Sequence, residues 1–227
     1  MNSAIRDVTP RYVRLSGEIA DQTLLDALRT IFPNATVGHA FASTEASVAF
    51  DVNDGLAGFP VGYVDSIRDG VEMKVTDRSL RIRSPRLASR YIGTPQSLVD
   101  KDGFVDTGDI VEPRGDRYHF IGRKDGVINV GGLKVHPEEV EAVINGHPQV
   151  RMSLVRSKKS PVTGSIIVAD IVLKPESRDA DTQRVGIEEN ILQHCREALP
   201  RHKIPAFINV VTSLSVSTAG KMVRSYG

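Results

Sequence analysis

The stretch GRKDGVINVGGLKVHPEEVE, residues 122–141, decides how this chain folds and where it divides. Its Gly131-Gly132 pair separates two short apolar runs, which is the signature of a two-residue β-hairpin turn. Pro137 follows at a position where a helix can begin, and the two glutamates after it favour that start because carboxylates stabilise a helix N-terminus. The stretch therefore predicts a short hairpin that leads directly into a helix.

Charged residues and glycine at 122–126 mark a change in composition, so we expect a domain boundary there. Downstream, apolar residues alternate in three predicted strands and recur at helical spacing between the last two strands. These strands lie at 151–156, 166–173 and 207–212, and the helix lies at 187–199. The sequence therefore predicts a C-terminal α+β domain over residues 123–227.

Upstream of the boundary, residues 12–43 have the pattern of a strand, a helix and a second strand. Asp21 can cap this helix, and the apolar residues that follow it recur on one helical face. Such a strand–helix–strand unit is the natural form of a parallel sheet layer. Short alternating segments come next, at 61–64, 71–76, 80–83, 104–110 and 117–122. They predict a small, strongly curved antiparallel sheet or barrel, so the fold class is α/β plus α+β, with residues 1–122 forming the first domain.

Charge and cysteine content exclude several function classes. The net charge of +1 comes from 29 basic and 28 acidic side chains, so no overall field attracts nucleic acid. The single cysteine, Cys195, excludes an internal disulfide framework and a multi-cysteine metal site. No apolar run is long enough to span a bilayer, and the first eleven residues lack a hydrophobic signal core. We therefore expect a cytoplasmic protein without a membrane span.

Two segments of the first domain carry polar groups suited to a nucleotide. In Phe41-Ala42-Ser43-Thr44-Glu45, which ends a predicted strand, the hydroxyls and the carboxylate suit a phosphate oxygen and a magnesium ion. In Thr107-Gly108-Asp109, the carboxylate can accept hydrogen bonds from two neighbouring ribose hydroxyls. Taken singly, the first segment is more typical of a helix cap and the second of an ordinary turn.

Two further segments fall at and beyond the boundary. Residues 122–126 could form a hinge, because hinges are element-terminal positions that absorb backbone rotation, although a polar interdomain turn is the simpler interpretation. Near the C-terminus, Gly220 frees the backbone so that Lys221 can project into a site where negative charge develops. Ser215 and Met222 stand where a Walker A loop needs glycine and Ser or Thr, so this segment is not such a loop. On its own, Lys221 is more typical of a surface lysine.

Together and in this order, the four segments resemble the adenylate-forming enzymes, which include acyl- and aryl-CoA synthetases, luciferases and peptide-synthetase adenylation domains. The resemblance covers nearly the whole chain, from about Tyr12 to the end. It implies the truncated end of the large adenylate-forming domain, with a strand–helix–strand unit and a barrel-like sheet. A mobile α+β C-terminal domain follows it.

The resemblance also implies roles for individual residues. Phe41 would pack against adenine, Thr44 would contact phosphate and Glu45 would help to hold magnesium. Asp109 would bind the ribose hydroxyls with support from Arg123. The remaining roles are a hinge at Asp125, a pantetheine path along Gly131 and Gly132, and stabilisation of developing charge by Lys221. Phe41 stands where the family usually has tyrosine, and Ala42 where it usually has glycine.

Residues 131–141 and 199–205 look more like CoA synthetases than peptide-synthetase domains. The resemblance therefore implies ATP or AMP, Mg²⁺ and coenzyme A as cofactors and a carboxylic acid as substrate. His136 is better explained as a helix-entry residue than as a catalyst. The family's Ser/Thr- and Gly-rich phosphate loop does not occur before Phe41, so we expect the chain alone to be inactive.

Three explanations of the missing loop stay open: a fragment, a split subunit that pairs with a separate N-terminal subunit, and a degenerate protein. Two other functions also stay open. One is a non-catalytic module that binds AMP or a protein, and the other is an adenylation unit that loads a carrier protein.

Overall fold

The computed structural model describes residues 8–93, 95–161, 164–175 and 186–215. Within these ranges the chain separates into two units, with the division between Ile121 and Gly122.

The first unit begins with the expected strand–helix–strand arrangement: β1 (Tyr12–Ser16), α1 (Gln22–Ile31) and β2 (Thr36–Ser43). β1 and β2 are parallel, as predicted. Asp21 caps α1 by accepting a 2.7 Å hydrogen bond from the backbone N–H of Leu24. A further strand, β3 (Ser47–Val52), pairs antiparallel with β2 and was not predicted. These elements therefore form a mixed three-stranded sheet in the order β1-β2-β3.

The predicted antiparallel sheet follows, with six strands in the order β4-β9-β8-β7-β6-β5. Their bounds are β4 (Phe59–Pro60), β5 (Ile67–Arg68), β6 (Val71–Thr76), β7 (Ser79–Arg83), β8 (Val105–Arg114) and β9 (Arg117–Arg123). The predicted strand at 61–64 is wrong. Val61–Tyr63 forms a short 3-10 turn, because the N–H of Val64 bonds back to the carbonyl of Val61 at 3.0 Å. The sheet has the half-barrel form expected from the sequence.

Arg117 makes several of the hydrogen bonds that hold the loop between β3 and β4. Arg117 on β9 donates to the carboxylate of Asp54 at 2.7 Å and to the carbonyls of Leu56, Ala57 and Gly58 at 3.2, 2.9 and 3.0 Å. Only 11% of its side chain is exposed. Since a guanidinium presents its donors in a rigid fork, one side chain satisfies several loop acceptors at once. Arg117 therefore fixes residues 54–58 against the six-stranded sheet.

The second unit starts with the hairpin β10 (Ile128–Val130) and β11 (Leu133–Val135), which leads into α2 (Pro137–Asn145) as predicted. A sheet follows in the order β12-β13-β14, formed by β12 (Val150–Ser160), β13 (Gly164–Leu173) and β14 (Phe207–Val210). The predicted helix is α3 (Ile187–Ala198). α2 packs on β12 and α3, and α3 packs on β14. In the described ranges, no helix is long and apolar enough to cross a membrane.

The core of this unit contains the chain's single cysteine. Cys195 on α3 is fully buried, among Ile144, Ile191 and Ile208 of the same cluster. Burial raises the pKa of its thiol to about 11, because the apolar core disfavours the thiolate. The side chain therefore acts as a small apolar residue in this core.

Two histidines meet where α2 ends. The rings of His147 and His194 are 5.5 Å apart between centroids and nearly perpendicular. The Nδ1 atom of His147 accepts a hydrogen bond from the N–H of Gln149, and Nε2 of His194 bonds to the carbonyl of Val143 at 3.1 Å. Burial lowers the pKa of His147, and electrostatic contributions from His194 and Lys174 lower it further. The fold therefore favours a neutral His147.

We expect this depressed pKa to make stability pH-dependent. At pH values below 6.5, the ordinary pKa of histidine, His147 binds a proton more readily in the unfolded chain than in the folded chain. The free energy of unfolding should thus fall as pH drops from about 7 towards 5, and His147→Gln should reduce that slope. Denaturant titrations over this range, for wild type and variant, measure the slope directly. Identical slopes would show that His147 is not a source of the pH dependence.

Candidate functional site

The segment predicted to contact phosphate forms the turn between β2 and β3. Phe41 lies in β2, whereas Thr44 and Glu45 lie in the turn itself. The hydroxyl of Ser43 accepts a 3.1 Å hydrogen bond from the N–H of Ala46 and stabilises this turn. The structure thus replaces the helix-cap interpretation with a hairpin turn. Thr44 is exposed and Glu45 is half-buried.

Glu45 is held by a residue that sequence reasoning missed. The hydroxyl of Tyr91 donates to the Glu45 carboxylate at 2.5 Å, and the N–H of Ala88 donates to the Glu45 backbone carbonyl at 2.9 Å. These partners are more than forty residues away along the chain, so no local pattern indicates them. A partly accessible carboxylate is the type of ligand that Mg²⁺ takes together with substrate phosphates. Glu45 therefore fits the metal role that the resemblance implies.

Phe41 belongs to an aromatic cluster. Its ring stacks on Phe50 at 5.6 Å between centroids and on Phe120 at 5.2 Å, with interplanar angles of 14° and 5°. Phe59 joins the same cluster through contacts with both of these phenylalanines. Because Phe41 is only half-buried, it packs in this cluster without being enclosed by it. Its ring orientation is thus fixed by the protein before any ligand arrives.

Asp109 lies on a bulge in β8. Ser79 pairs with Ile110 and Arg81 with Asp106, so one residue of β7 faces three residues of β8, 107–109. Gly108 has a φ of +72°, which glycine adopts without strain.

The bulge is braced from within. The buried hydroxyl of Thr107 donates to the carbonyl of Leu80 at 3.0 Å and accepts from the N–H of Asp109 at 3.1 Å. The expected tight glycine turn is therefore a braced β-bulge that holds a half-buried aspartate.

The predicted hinge contains an exposed ion pair. Nε of Arg123 lies 3.2 Å from the carboxylate of Asp125, and their side chains are 51% and 75% exposed. Exposed pairs of this kind contribute about 0–1 kcal/mol. Before them, Gly122 has a φ of +143°, and a Cβ at this position would overlap the carboxylate of Glu138. The positive φ together with the crowding by Glu138 and His136 favours glycine at residue 122.

The Gly131-Gly132 turn is open. Both glycines have positive φ, +57° and +88°, as a two-residue hairpin turn requires. Among the residues that the structure describes, no heavy atom lies within 4 Å of a Cβ added to either one, and both are exposed. Leu133 beside them is 51% exposed, whereas Ile128 and Val135 at the base of the hairpin are buried. The hairpin therefore presents bare backbone at its tip and is anchored at its base.

The predicted residues are distributed over both units. Phe41, Thr44, Glu45 and Asp109 lie in the first unit, and Arg123, Asp125, Gly131 and Gly132 lie in the second. Lys221 lies outside the described residues.

Comparison with known proteins gives a consistent set of relatives. Residues 139–221 match the family model described as the AMP-binding enzyme C-terminal domain, and this match runs as far as Lys221. The chain is 26% identical to 4-coumarate–CoA ligase 1 of Arabidopsis thaliana over 94% of its own length and 40% of that protein. It is 31% identical to the human mitochondrial acyl-coenzyme A synthetase ACSM1, over 63% of its own length and 25% of that protein. The chain thus spans well under half the length of these two relatives.

Solved structures show the same fold. A MenE variant from E. coli with bound OSB-AMS matches with a TM-score of 0.71 and 26% identity, over 88% of this chain and 42% of that one. The anthranilate CoA ligase AuaEII, in complex with anthranoyl-AMP, matches with a TM-score of 0.76 and 24% identity, over 93% of this chain and 43% of that one. Both units are therefore arranged internally as in these proteins.

Proposed function

We propose that this chain, whose residues 139–221 match the AMP-binding enzyme C-terminal domain, is the C-terminal part of an ATP-dependent carboxylate–CoA ligase. The observation that carries the proposal is the similarity to a 4-coumarate–CoA ligase over 94% of the chain, which includes both units. The substrate is a carboxylic acid, and the products are its CoA thioester, AMP and pyrophosphate.

In the first step, an oxygen of the substrate carboxylate attacks the α-phosphorus of ATP and pyrophosphate leaves. Asp109 on its braced bulge accepts hydrogen bonds from the ribose hydroxyls, and Thr44 contacts a phosphate oxygen. Phe41, oriented by Phe50 and Phe120, packs against adenine. Magnesium held by Glu45 would offset phosphate charge when bound.

In the second step, the thiol of CoA attacks the carbonyl of the acyl-adenylate and AMP leaves. We assign Gly131 and Gly132 to the path of the pantetheine arm, because their bare backbone admits a close approach. We assign the change between the steps to rotation at Asp125. The weak, exposed Arg123–Asp125 pair would cost little to break during such a rotation.

The test compares the 227-residue chain alone with the chain supplemented by an upstream polypeptide that supplies a phosphate-binding loop. ATP–pyrophosphate exchange reports adenylate formation, and loss of free CoA thiol reports thioester formation. We expect both activities, dependent on a carboxylate, only in the supplemented sample. If a panel of acyl and aryl acids gives neither pyrophosphate exchange nor loss of thiol, ligase activity is contradicted and a non-catalytic binding module is favoured. Acylation of a phosphopantetheinylated carrier protein instead of CoA would mean that the acceptor is a carrier protein.

Gly131 offers a second test, specific to the thiol path. Gly131→Trp should slow thioester formation from supplied acyl-adenylate by about 10²-fold while adenylation is little changed, because bulk at the tip blocks the arm. No described residue lies within 4 Å of a Cβ at this position, so the main structural cost is the positive φ, about 1 kcal/mol. Gly131→Asn is the matched control, since asparagine tolerates positive φ without adding a large side chain. Equal losses in both variants would mean that backbone strain, and not blockage, causes the defect.

A further inference from the structure

We propose that Lys203 is a positioning residue for thioester formation, because its ion pair with Glu139 fixes the base of the β10–β11 hairpin. This inference rests on the proposed function and adds a residue to it.

The pair is short and largely enclosed. The ammonium of Lys203 lies 2.7 and 2.6 Å from the two carboxylate oxygens of Glu139. Their side chains are 18% and 20% exposed, less than in the Arg123–Asp125 pair. The two residues are 64 positions apart in the sequence, so the pair joins elements that the chain itself does not connect.

The pair joins two elements that adjoin the hairpin. Glu139 is in the first turn of α2, and its N–H bonds to the carbonyl of His136, the residue between β11 and α2. Lys203 ends the 3-10 turn Arg201–Lys203, which packs on β11. One ion pair therefore clamps β11 between the start of α2 and this turn.

The hairpin depends on such support. Each of its strands has three residues, its tip is exposed, and an added Cβ at either tip glycine would touch none of the described residues. Its position is set at its base, by the burial of Ile128 and Val135 and by the clamp. If the tip borders the pantetheine arm, a shift at the base becomes a shift at the reacting thiol. Displacements of about 1 Å far from the chemistry can cost about 10²-fold in rate.

Removal of the ammonium alone should be damaging, because it leaves the Glu139 carboxylate enclosed without its counter-charge. Lys203→Met keeps the aliphatic stem and removes only the charge. Lys203→Arg keeps the charge and can still pair with both carboxylate oxygens, so it is the conservative variant.

Kinetics in the complete ligase give the first readout. For Lys203→Met we expect thioester formation from supplied acyl-adenylate to slow by roughly 10–10²-fold, with a raised KM for CoA and nearly unchanged adenylation. Lys203→Arg should recover most of the lost rate. Equal losses in both half-reactions, or no loss in either, would overturn the positioning role.

Hydrogen exchange on the 227-residue chain gives a readout that does not need activity. In Lys203→Met, amides of residues 128–135 should exchange roughly tenfold faster than in wild type, while those of the buried strand β13 keep their protection. Lys203→Arg should resemble wild type. If the methionine variant does not fold, Glu139→Gln, which removes the opposite charge of the same pair, should show the same faster exchange in the hairpin. Unchanged hairpin exchange in a folded Lys203→Met variant would refute the clamp. If the hairpin of Lys203→Met exchanges faster but the wild-type ligase forms no CoA thioester, the clamp is supported and only the proposed function is refuted.

Discussion

Lys221→Ala in the complete ligase is expected to slow adenylate formation by about 10²–10³-fold and to leave thioester formation from supplied acyl-adenylate nearly unchanged. The reason is the time at which charge appears. Negative charge develops at the α-phosphorus and on the departing pyrophosphate in the first step, and a preorganised ammonium stabilises it there. In the second step, the proposed rotation has withdrawn Lys221, so its removal changes no interaction with the transition state. Pyrophosphate exchange and thiol loss measure the two steps separately.

Lys221→Arg is the matched control for this prediction. It keeps the positive charge but changes the donor geometry, so adenylation should lie between that of wild type and Lys221→Ala. Similar losses in both steps for Lys221→Ala would mean that the lysine supports the fold and does not act on the developing charge. The rotation assigned to Asp125 would then lose its main kinetic support.

Arg117→Ala is expected to lower the free energy of unfolding of the first unit by about 3 kcal/mol. Arg117 serves four acceptors while only 11% of its side chain is exposed. Its loss removes the donor to the carbonyls of Ala57 and Gly58 and one of the two partners of the Leu56 carbonyl, which also bonds to His39. It also removes a counter-charge from Asp54. Denaturant titration with intrinsic tyrosine fluorescence measures the change, since the five tyrosines are not accompanied by tryptophan.

Two control variants separate charge from hydrogen bonding at Arg117. Asp54→Asn removes the ion pair but leaves the three carbonyl contacts, and because Asp54 is 40% exposed it should cost only about 1 kcal/mol. Arg117→Lys keeps the charge but cannot reproduce the fork, so it should cost an intermediate amount. A cost for Asp54→Asn as large as that for Arg117→Ala would show that the ion pair, and not the loop carbonyls, stabilises this region.

Local chemistry explains which elements were predictable. Asp21 caps α1, Pro137 begins α2, and Gly131-Gly132 turns the hairpin, each through interactions within a few residues. β3 was missed because its turn from β2 lacks glycine and proline, and Ser47 adopts a φ of +54° instead. The strand expected at 61–64 failed because hydrogen bonding within Val61–Tyr63 closes a 3-10 turn.

Long-range contacts explain what was not predictable at the candidate site. Tyr91 reaches Glu45 and Lys203 reaches Glu139 across 46 and 64 residues, and no periodicity or turn signal links such positions. The roles given to Phe41, Thr44, Asp109 and Lys221 came from the resemblance of four ordered segments, not from the pattern around any one of them. The structure also shows contacts that the segments do not reveal, such as the hydrogen bonds of Thr107 that hold the bulge at Asp109.

The buried thiol of Cys195 makes this chain convenient for spectroscopic labelling. With a pKa raised to about 11 and no exposure, the native thiol should react negligibly with maleimide reagents near neutral pH. A cysteine introduced at exposed Leu133 would therefore be the single reactive position without any need to remove the native one. A fluorophore placed there, next to the open glycine turn, would report the approach of a pantetheine arm in real time.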